Sequence, residues 1–249
     1  MGIPGLDLLI VIIYVVILAC FIQGLVGFGS GLIMVPILVL MIEPKVVVPA
    51  TLMNGLVMNG VLAFETRRRI QPRRITPILL GAVAGLPLGT FLLLILPGDI
   101  LKVAIGSVII FFGSLLLSGR SIQVKKENLF SIPAGFTSGV LNGSISMSGP
   151  PVILLFSNMG IRKGNFRANL VTYFFLLNII TLMAFALTGL ISEEVLVLFA
   201  ITLPASFIGI FAGTKVSKIV REDLFRKIAL VLVIAAGLMS LVMGIIGLS

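Results

Sequence analysis

Serine, glycine and asparagine residues that interrupt apolar runs are the side chains best suited to bind a ligand. One interruption lies between Asn142 and Gly149, within residues 129–160, which contain no Lys, Arg, Asp or Glu. A backbone break at membrane depth leaves N–H and C=O groups unpaired, which is tolerable only where protein or a wet cavity supplies partners. Because freed N–H groups, helix N-termini and hydroxyls favour anions, the pattern predicts an anion-binding cavity.

The predicted substrate-binding residues come from this break, from an earlier one with the sequence GLVGFGSG, and from the spans beside them. An asparagine inside an apolar span needs a partner, which is either another helix or the cavity. A serine has a similar alternative, a hydrogen bond back to its own helix. An arginine at the start of a span either anchors the helix at the interface or draws anions inward. The candidates are Gly27, Gly29, Ser30, Gly31, Asn54, Asn142, Ser144, Ser146, Ser148, Gly149, Arg167, Asn169 and Asn178.

The residue types needed for most enzyme chemistry are scarce. Histidine is absent and Cys20 is the only cysteine. The usual proton shuttle, the usual metal ligands and the base of most nucleophilic triads are therefore missing. We predict a protein that is not an enzyme and has no metal or cofactor.

Acidic residues are expected only at span ends and in loops. An anion leaving a cell that is negative inside gains about 2.3 kcal/mol per charge at 100 mV, so export needs no coupling ion. Without a buried carboxylate to carry a proton or bind sodium, export driven by the membrane potential is the simplest hypothesis. The nine carboxylates are Asp7, Glu43, Glu65, Asp99, Glu127, Glu193, Glu194, Glu222 and Asp223.

The composition is that of a protein with several membrane spans. Of 249 residues, 59% are hydrophobic and 11% are charged, and the net charge is +9. The basic residues gather in short loops without aromatic interleaving, which fits cytoplasmic loops better than nucleic-acid binding. We predict an all-α polytopic membrane protein with broken elements at residues 6–42 and 129–160. The predicted unbroken spans are residues 46–64, 75–96, 100–117, 168–188, 195–214 and 224–248.

The two halves look like copies of one unit. They are residues 1–118 and 129–249, joined by a cytoplasmic connector at 119–128. A shift of 115 puts Gly24 on Gly139, and a shift of 124 puts Gly85 on Gly209. If each broken element is a re-entrant hairpin, each half has three crossings and the repeats are inverted, with both chain termini outside the cytoplasm. If each broken element crosses once, the repeats are parallel. The basic loops favour the inverted arrangement, with the two breaks meeting near the midplane.

Three segments resemble one known family. GLVGFGSGLIMVPIL in the first half, and GVLNGSISMSGPPVILLF and FRANLVTYFFLLNIITLMAFALTG in the second, resemble the sulfite exporter TauE/SafE family of toluene-sulfonate uptake permeases. The resemblance implies a bacterial or archaeal inner-membrane carrier for a small anion such as sulfite, a sulfonate or sulfoacetate. It leaves open uptake rather than export, and a monomer or a homodimer. An anion channel with the same filter and a scaffolding subunit remain alternatives.

Overall fold

In a computed structural model of the chain, the structure describes residues 6–117, 127–217 and 222–248. Within these ranges the chain forms α-helices and one short 3₁₀-helix, and no strand. The helices are α1 (Leu6–Val26), α2 (Ser30–Leu38), α3 (Pro44–Thr66), α4 (Pro72–Ile95), α5 (Gly98–Leu117), α6 (Glu127–Ile145), α7 (Gly149–Ser157), α8 (Lys163–Leu187), α9 (Glu193–Val216) and α10 (Glu222–Leu248). The predicted connector at 119–128 lies outside the described residues, except for its last two positions.

Within the described ranges, six helices are long and apolar enough to cross a membrane: α1, α3, α4, α5, α8 and α9. Their outer surfaces expose large apolar side chains such as Phe91, Leu187 and Ile208, as expected where a protein meets lipid. Four of the six predicted unbroken spans lie within one helix each, in α3, α5, α9 and α10, and the other two extend one residue past the ends of α4 and α8. The chain is therefore an all-helical, multi-pass membrane protein.

The two interrupted elements have unequal arms. The long arms, α1 and α6, contain 21 and 19 residues, and the short arms, α2 and α7, contain nine each. At 1.5 Å per residue α1 is about 31 Å long, which is enough to cross a bilayer. The second break is shorter than predicted. The helix continues through Asn142 and Ser144 because their side chains find hydrogen-bond partners within the protein.

Glycine faces bring α4 and α6 into close parallel contact. A Cβ at Gly135 would overlap the Ile78 backbone, and one at Gly89 would overlap the Val140 backbone, so the residue numbers rise together along both helices. Small residues allow this close approach in membrane proteins. α1 packs in the same way against α9, where Gly213 meets Phe21. Each of these pairs joins a helix of the first half to one of the second half.

α3 and α8 run in opposite directions. Gly55 of α3 lies against Asn178 of α8, whereas Gly60, farther along α3, lies against Phe175, which precedes Asn178. These two helices occupy equivalent places in the element order of the two halves. Equivalent helices of this chain are therefore antiparallel at this interface.

The contacts correct the predicted offset between the broken elements. Gly143 lies against Leu86 and Thr90 of α4, and Gly24 lies in the same way against Ile210 and Thr214 of α9. The predicted shift of 124 relates these α4 and α9 positions, but Gly24 corresponds to Gly143 at an offset of 119. The predicted match of Gly24 with Gly139 is thus wrong by one helical turn. Because residues 139 and 143 are both glycine, the sequence fits an offset of 115 as well as one of 119 at Gly24.

Candidate functional site

The two breaks lie against each other. A Cβ on Gly31 would be 2.6 Å from the carbonyl oxygen of Ser146, so only glycine fits here without movement. Beside this contact is a cavity of about 50 Å³ between the breaks, α3 and α8. It is far smaller than the roughly 300–1,000 Å³ of drug-sized ligand pockets, and suits a small solute. Its lining residues are Gln23, Phe28, Gly29, Ser30, Gly31, Leu32, Thr51, Leu52, Gly55, Asn59, Asn142, Ser146, Met147, Ser148, Gly149, Phe174 and Asn178.

Two helix N-termini open on this cavity. α2 begins at Ser30 and α7 at Gly149, and no described side chain caps either one. The first intrahelical bond of α2 runs from the Ile33 N–H to the Gly29 oxygen at 3.2 Å. The N–H groups of the three preceding residues therefore have no acceptor within the helix. Helix N-termini of this kind attract negative charge.

Two pairs of amide side chains line the cavity at equivalent positions. Gln23 Nε2 donates to Asn59 Oδ1 at 2.8 Å in the first half. In the second half, Asn142 Nδ2 lies 3.4 Å from Asn178 Oδ1 and donates to Thr181 Oγ1 at 2.8 Å. The offset of 119 that relates the breaks also carries Gln23 onto Asn142 and Asn59 onto Asn178. The two halves therefore contribute matching polar walls.

Two polar atoms on the cavity wall lack a partner. Among the described residues, Gln23 Oε1 and Thr51 Oγ1 are buried without a hydrogen bond. The two residues are 2% and 4% exposed. A buried polar atom left unpaired costs about 1–3 kcal/mol. A bound solute or water in the cavity is the natural partner for both atoms.

Eight of the predicted site residues line the cavity, on both breaks and on α6 and α8. Their role in binding remains a prediction. Those on the cavity are Gly29, Ser30, Gly31, Asn142, Ser146, Ser148, Gly149 and Asn178.

Three other candidates lie away from the cavity and bond elsewhere. Ser144 Oγ donates to the Val140 oxygen of its own helix at 2.7 Å. Asn54 donates to Thr202 Oγ1 at 2.8 Å and accepts from Ser206 Oγ at 2.9 Å, linking α3 to α9. These are the alternative roles that the sequence left open for such residues. The third, Asn169, binds the residue that precedes α4.

Arg167 and Gly27 form a contact next to the first break. Arg167 Nη2 donates to the Gly24 carbonyl at 2.8 Å, near the C-terminus of α1. A Cβ on Gly27, whose φ is 93°, would lie 2.7 Å from the Arg167 side chain. Neither residue lines the cavity. The guanidinium nevertheless places positive charge where α1 presents its carbonyls.

Sequence reasoning missed Gln23, Thr51 and Asn59 as lining residues. Gln23 had a usable signal, because it is an uncharged polar residue in an apolar helix, one position before the glycine-rich break. Thr51 and Asn59 had a weaker one. In a helix that is apolar on all sides, the sequence does not indicate which side faces the cavity, so the cavity-facing side of α3 was not predictable.

The cavity binds through dipoles rather than ionic groups. None of its described lining residues is charged. The side chains of Asp7, Glu43, Glu65 and Glu194 are exposed, and Asp99 pairs with Lys102 at 2.9 Å. In the part of the chain that is described, no three His, Cys, Asp or Glu residues are grouped so that they could hold a metal. Hydroxyls, amides and backbone N–H groups are what the site offers a ligand.

A membrane protein in which interrupted helices enclose a small polar cavity is organised as a transporter of small solutes. The family model described as Sulfite exporter TauE/SafE matches residues 12–240. The chain belongs to this family, which confirms the resemblance and implies a membrane transporter of sulfite-like anions. No curated protein and no solved structure matches the chain.

Proposed function

We propose that this protein is a secondary transporter that exports a small sulfur-containing or organic anion, such as sulfite, a sulfonate or sulfoacetate, and binds it between the two breaks. Family membership supports the class of cargo. The contact of Gly31 with Ser146 carries the site assignment, because it brings two uncapped helix N-termini to one cavity. Such N-termini, with the hydroxyls of Ser30 and Ser148, stabilise a negative charge without a permanent positive one.

The proposed architecture is a pair of inverted repeats with re-entrant broken elements. Gly135, in the third turn of α6, lies beside Ile78, in the second turn of α4, so these parallel helices start at the same end of the bundle. α8 starts where Gly164 meets Arg69, just before α4. The element between the starts of α6 and α8 therefore leaves and returns at one end of the bundle. The antiparallel packing of α3 and α8 also supports inversion, since parallel repeats would make these equivalent helices parallel. Relative motion of such repeats around a fixed site gives alternating access.

The proposed orientation places the end that carries Arg67, Arg68 and Arg69 in the cytoplasm of a bacterial or archaeal cell. α3 ends there, so its start faces outward. Lys45 lies at that outer end and donates to the Leu94 oxygen, in the last turn of α4, at 2.9 Å. This hydrogen bond accommodates one basic residue on the outer side of the membrane, where few are expected. Exported anions would enter from the arginine-rich end.

Ligand binding to the purified protein tests the site. An anion that binds the folded form raises its thermal stability by mass action, so sulfite, sulfate, thiosulfate, taurine, isethionate and sulfoacetate are compared. Ser148→Ala and Ser30→Ala each remove a hydroxyl at the cavity and should weaken binding about tenfold, since a hydrogen bond to a charged group contributes about 1.5–3 kcal/mol. Ser144→Ala is the matched comparison and should bind as the wild type does.

Transport in liposomes tests the function. We expect saturable anion flux that accelerates with a membrane potential and exchanges labelled anion for unlabelled anion. Flux without saturation or exchange would indicate a channel. Saturable transport of a cation, with no anion binding, would contradict the proposal.

A further inference from the structure

The unpaired acceptor oxygen of Gln23 indicates which kind of anion the cavity prefers. Gln23 Nε2 is bonded to Asn59, which leaves Oε1 buried on the cavity wall with no described partner. An amide oxygen only accepts hydrogen bonds. Thr51 Oγ1, also without a described partner there, can accept as well as donate a hydrogen bond. The first-half wall of the cavity therefore presents an acceptor in a site otherwise rich in donors.

The described residues of the second half do not show this feature. Asn142, the equivalent of Gln23, donates from Nδ2 to Thr181 Oγ1 and Asn178 Oδ1. Its Oδ1 is not among the described buried polar atoms that lack a hydrogen bond. The unpaired acceptor is thus specific to one side of the cavity, and a bound solute would meet donors on one side and an acceptor on the other.

A fully deprotonated oxyanion such as sulfite or sulfate has acceptor atoms only, so it would leave Gln23 Oε1 unpaired and place lone pairs against it. An anion with an O–H or N–H group would complete the site. We propose, on the basis of the proposed transport function, that the preferred cargo is a monoanion that carries a hydrogen-bond donor, such as hydrogen sulfite or a hydroxyalkyl sulfonate. A site built to pair a donor rejects analogues without one.

Sulfamate and methanesulfonate form a matched test pair. Both are small sulfonyl monoanions, and they differ in an amino group against a methyl group. Calorimetric titration of the full-length purified protein should show sulfamate binding about tenfold tighter, because pairing a buried polar atom is worth about 1–3 kcal/mol. Equal affinities, or tighter binding of methanesulfonate, would overturn the inference.

The pH dependence of sulfite binding is an independent arm. The described cavity lining contains no titratable side chain, so a pH effect there reports on the ligand. The apparent affinity for total sulfite should fall as pH rises through the second pKa of sulfurous acid, where hydrogen sulfite loses its proton. An affinity that rises with pH contradicts the inference.

Variants assign the effect to its residue. Gln23→Leu should abolish the preference for sulfamate, and Thr51→Val, which keeps the shape of the side chain, should reduce it. Thr137→Val is the control, since the Thr137 hydroxyl bonds to the Pro133 oxygen on an exposed face of α6. If Gln23→Leu folds and keeps the full preference, Gln23 is not the acceptor. Binding of anions without any preference overturns only this inference, whereas binding of no anion at all overturns the transport proposal as well.

Discussion

Asn169 and Gln71 hold each other through two hydrogen bonds. The Gln71 N–H donates to Asn169 Oδ1 at 2.8 Å, and Asn169 Nδ2 donates to Gln71 Oε1 at 3.2 Å. Gln71 immediately precedes α4 in the first half, and the fully buried Asn169 lies in α8 of the second. This reciprocal pair fixes the start of α4 to the start of α8.

Asn169→Ala should therefore lower stability rather than change ligand preference. Losing two hydrogen bonds at a buried site costs about 1–3 kcal/mol, and thermal unfolding of the purified protein measures it. Asn158→Ala is the control, because Asn158 follows α7 and bonds to the Leu154 oxygen of that neighbouring helix rather than to another half of the protein. A stable Asn169→Ala variant with altered anion selectivity would instead place Asn169 in the binding site, as the sequence predicts.

Asn54 and Asn178 should respond differently to substitution by alanine. Asn54 links α3 to α9, so Asn54→Ala should cost about 0.6–1.7 kcal/mol of stability and leave the transport KM close to that of the wild type. Asn178 lines the cavity, so Asn178→Ala should raise the KM several-fold. Radiolabelled uptake into proteoliposomes gives the KM of each variant, and thermal unfolding gives its stability. A raised KM in Asn54→Ala alone would reverse the assignment.

Gly139→Ala should destabilise the protein strongly. The added Cβ would overlap the Ala82 backbone, which cannot move without separating α4 from α6. Overpacking of this kind costs about 1–3 kcal/mol. Gly98→Ala is the control, since its Cβ would make an ordinary contact of 3.5 Å with Pro44. Equal thermal stability of the two variants would show that the interface yields more easily than its geometry indicates.

The positive φ angles at the first break predict that two alanine variants lose stability to different extents. Gly29 has a φ of 109° with only Ile22, 4.0 Å away, near its missing Cβ, so Gly29→Ala suffers backbone strain alone. That strain is about 1–2 kcal/mol. Gly27→Ala adds a collision with Arg167 and should be the less stable of the two. Thermal unfolding of both variants, compared with wild type, tests this order.

The helices were predictable from sequence because continuous apolar runs bounded by charge leave few other folds. The positions of the breaks were predictable to within a few residues, since Gly27, Gly29 and Ser148 interrupt those runs. The exact end of α6 was not, because Asn142 and Ser144 stay helical once neighbours accept their hydrogen bonds. Side chains such as Thr51 could not be assigned to the cavity, since the direction in which each helix faces is set by packing with partners far away in the chain.

The pairing of α4 with α6 and of α1 with α9 has a consequence for biosynthesis. When the ribosome has completed only α1 to α5, the glycine grooves of α4 have no helix to fill them and face lipid. The two halves expressed as separate polypeptides should therefore be degraded singly, yet assemble into a working carrier when produced together. Maturation of this protein would then wait for the last helices to leave the translocon.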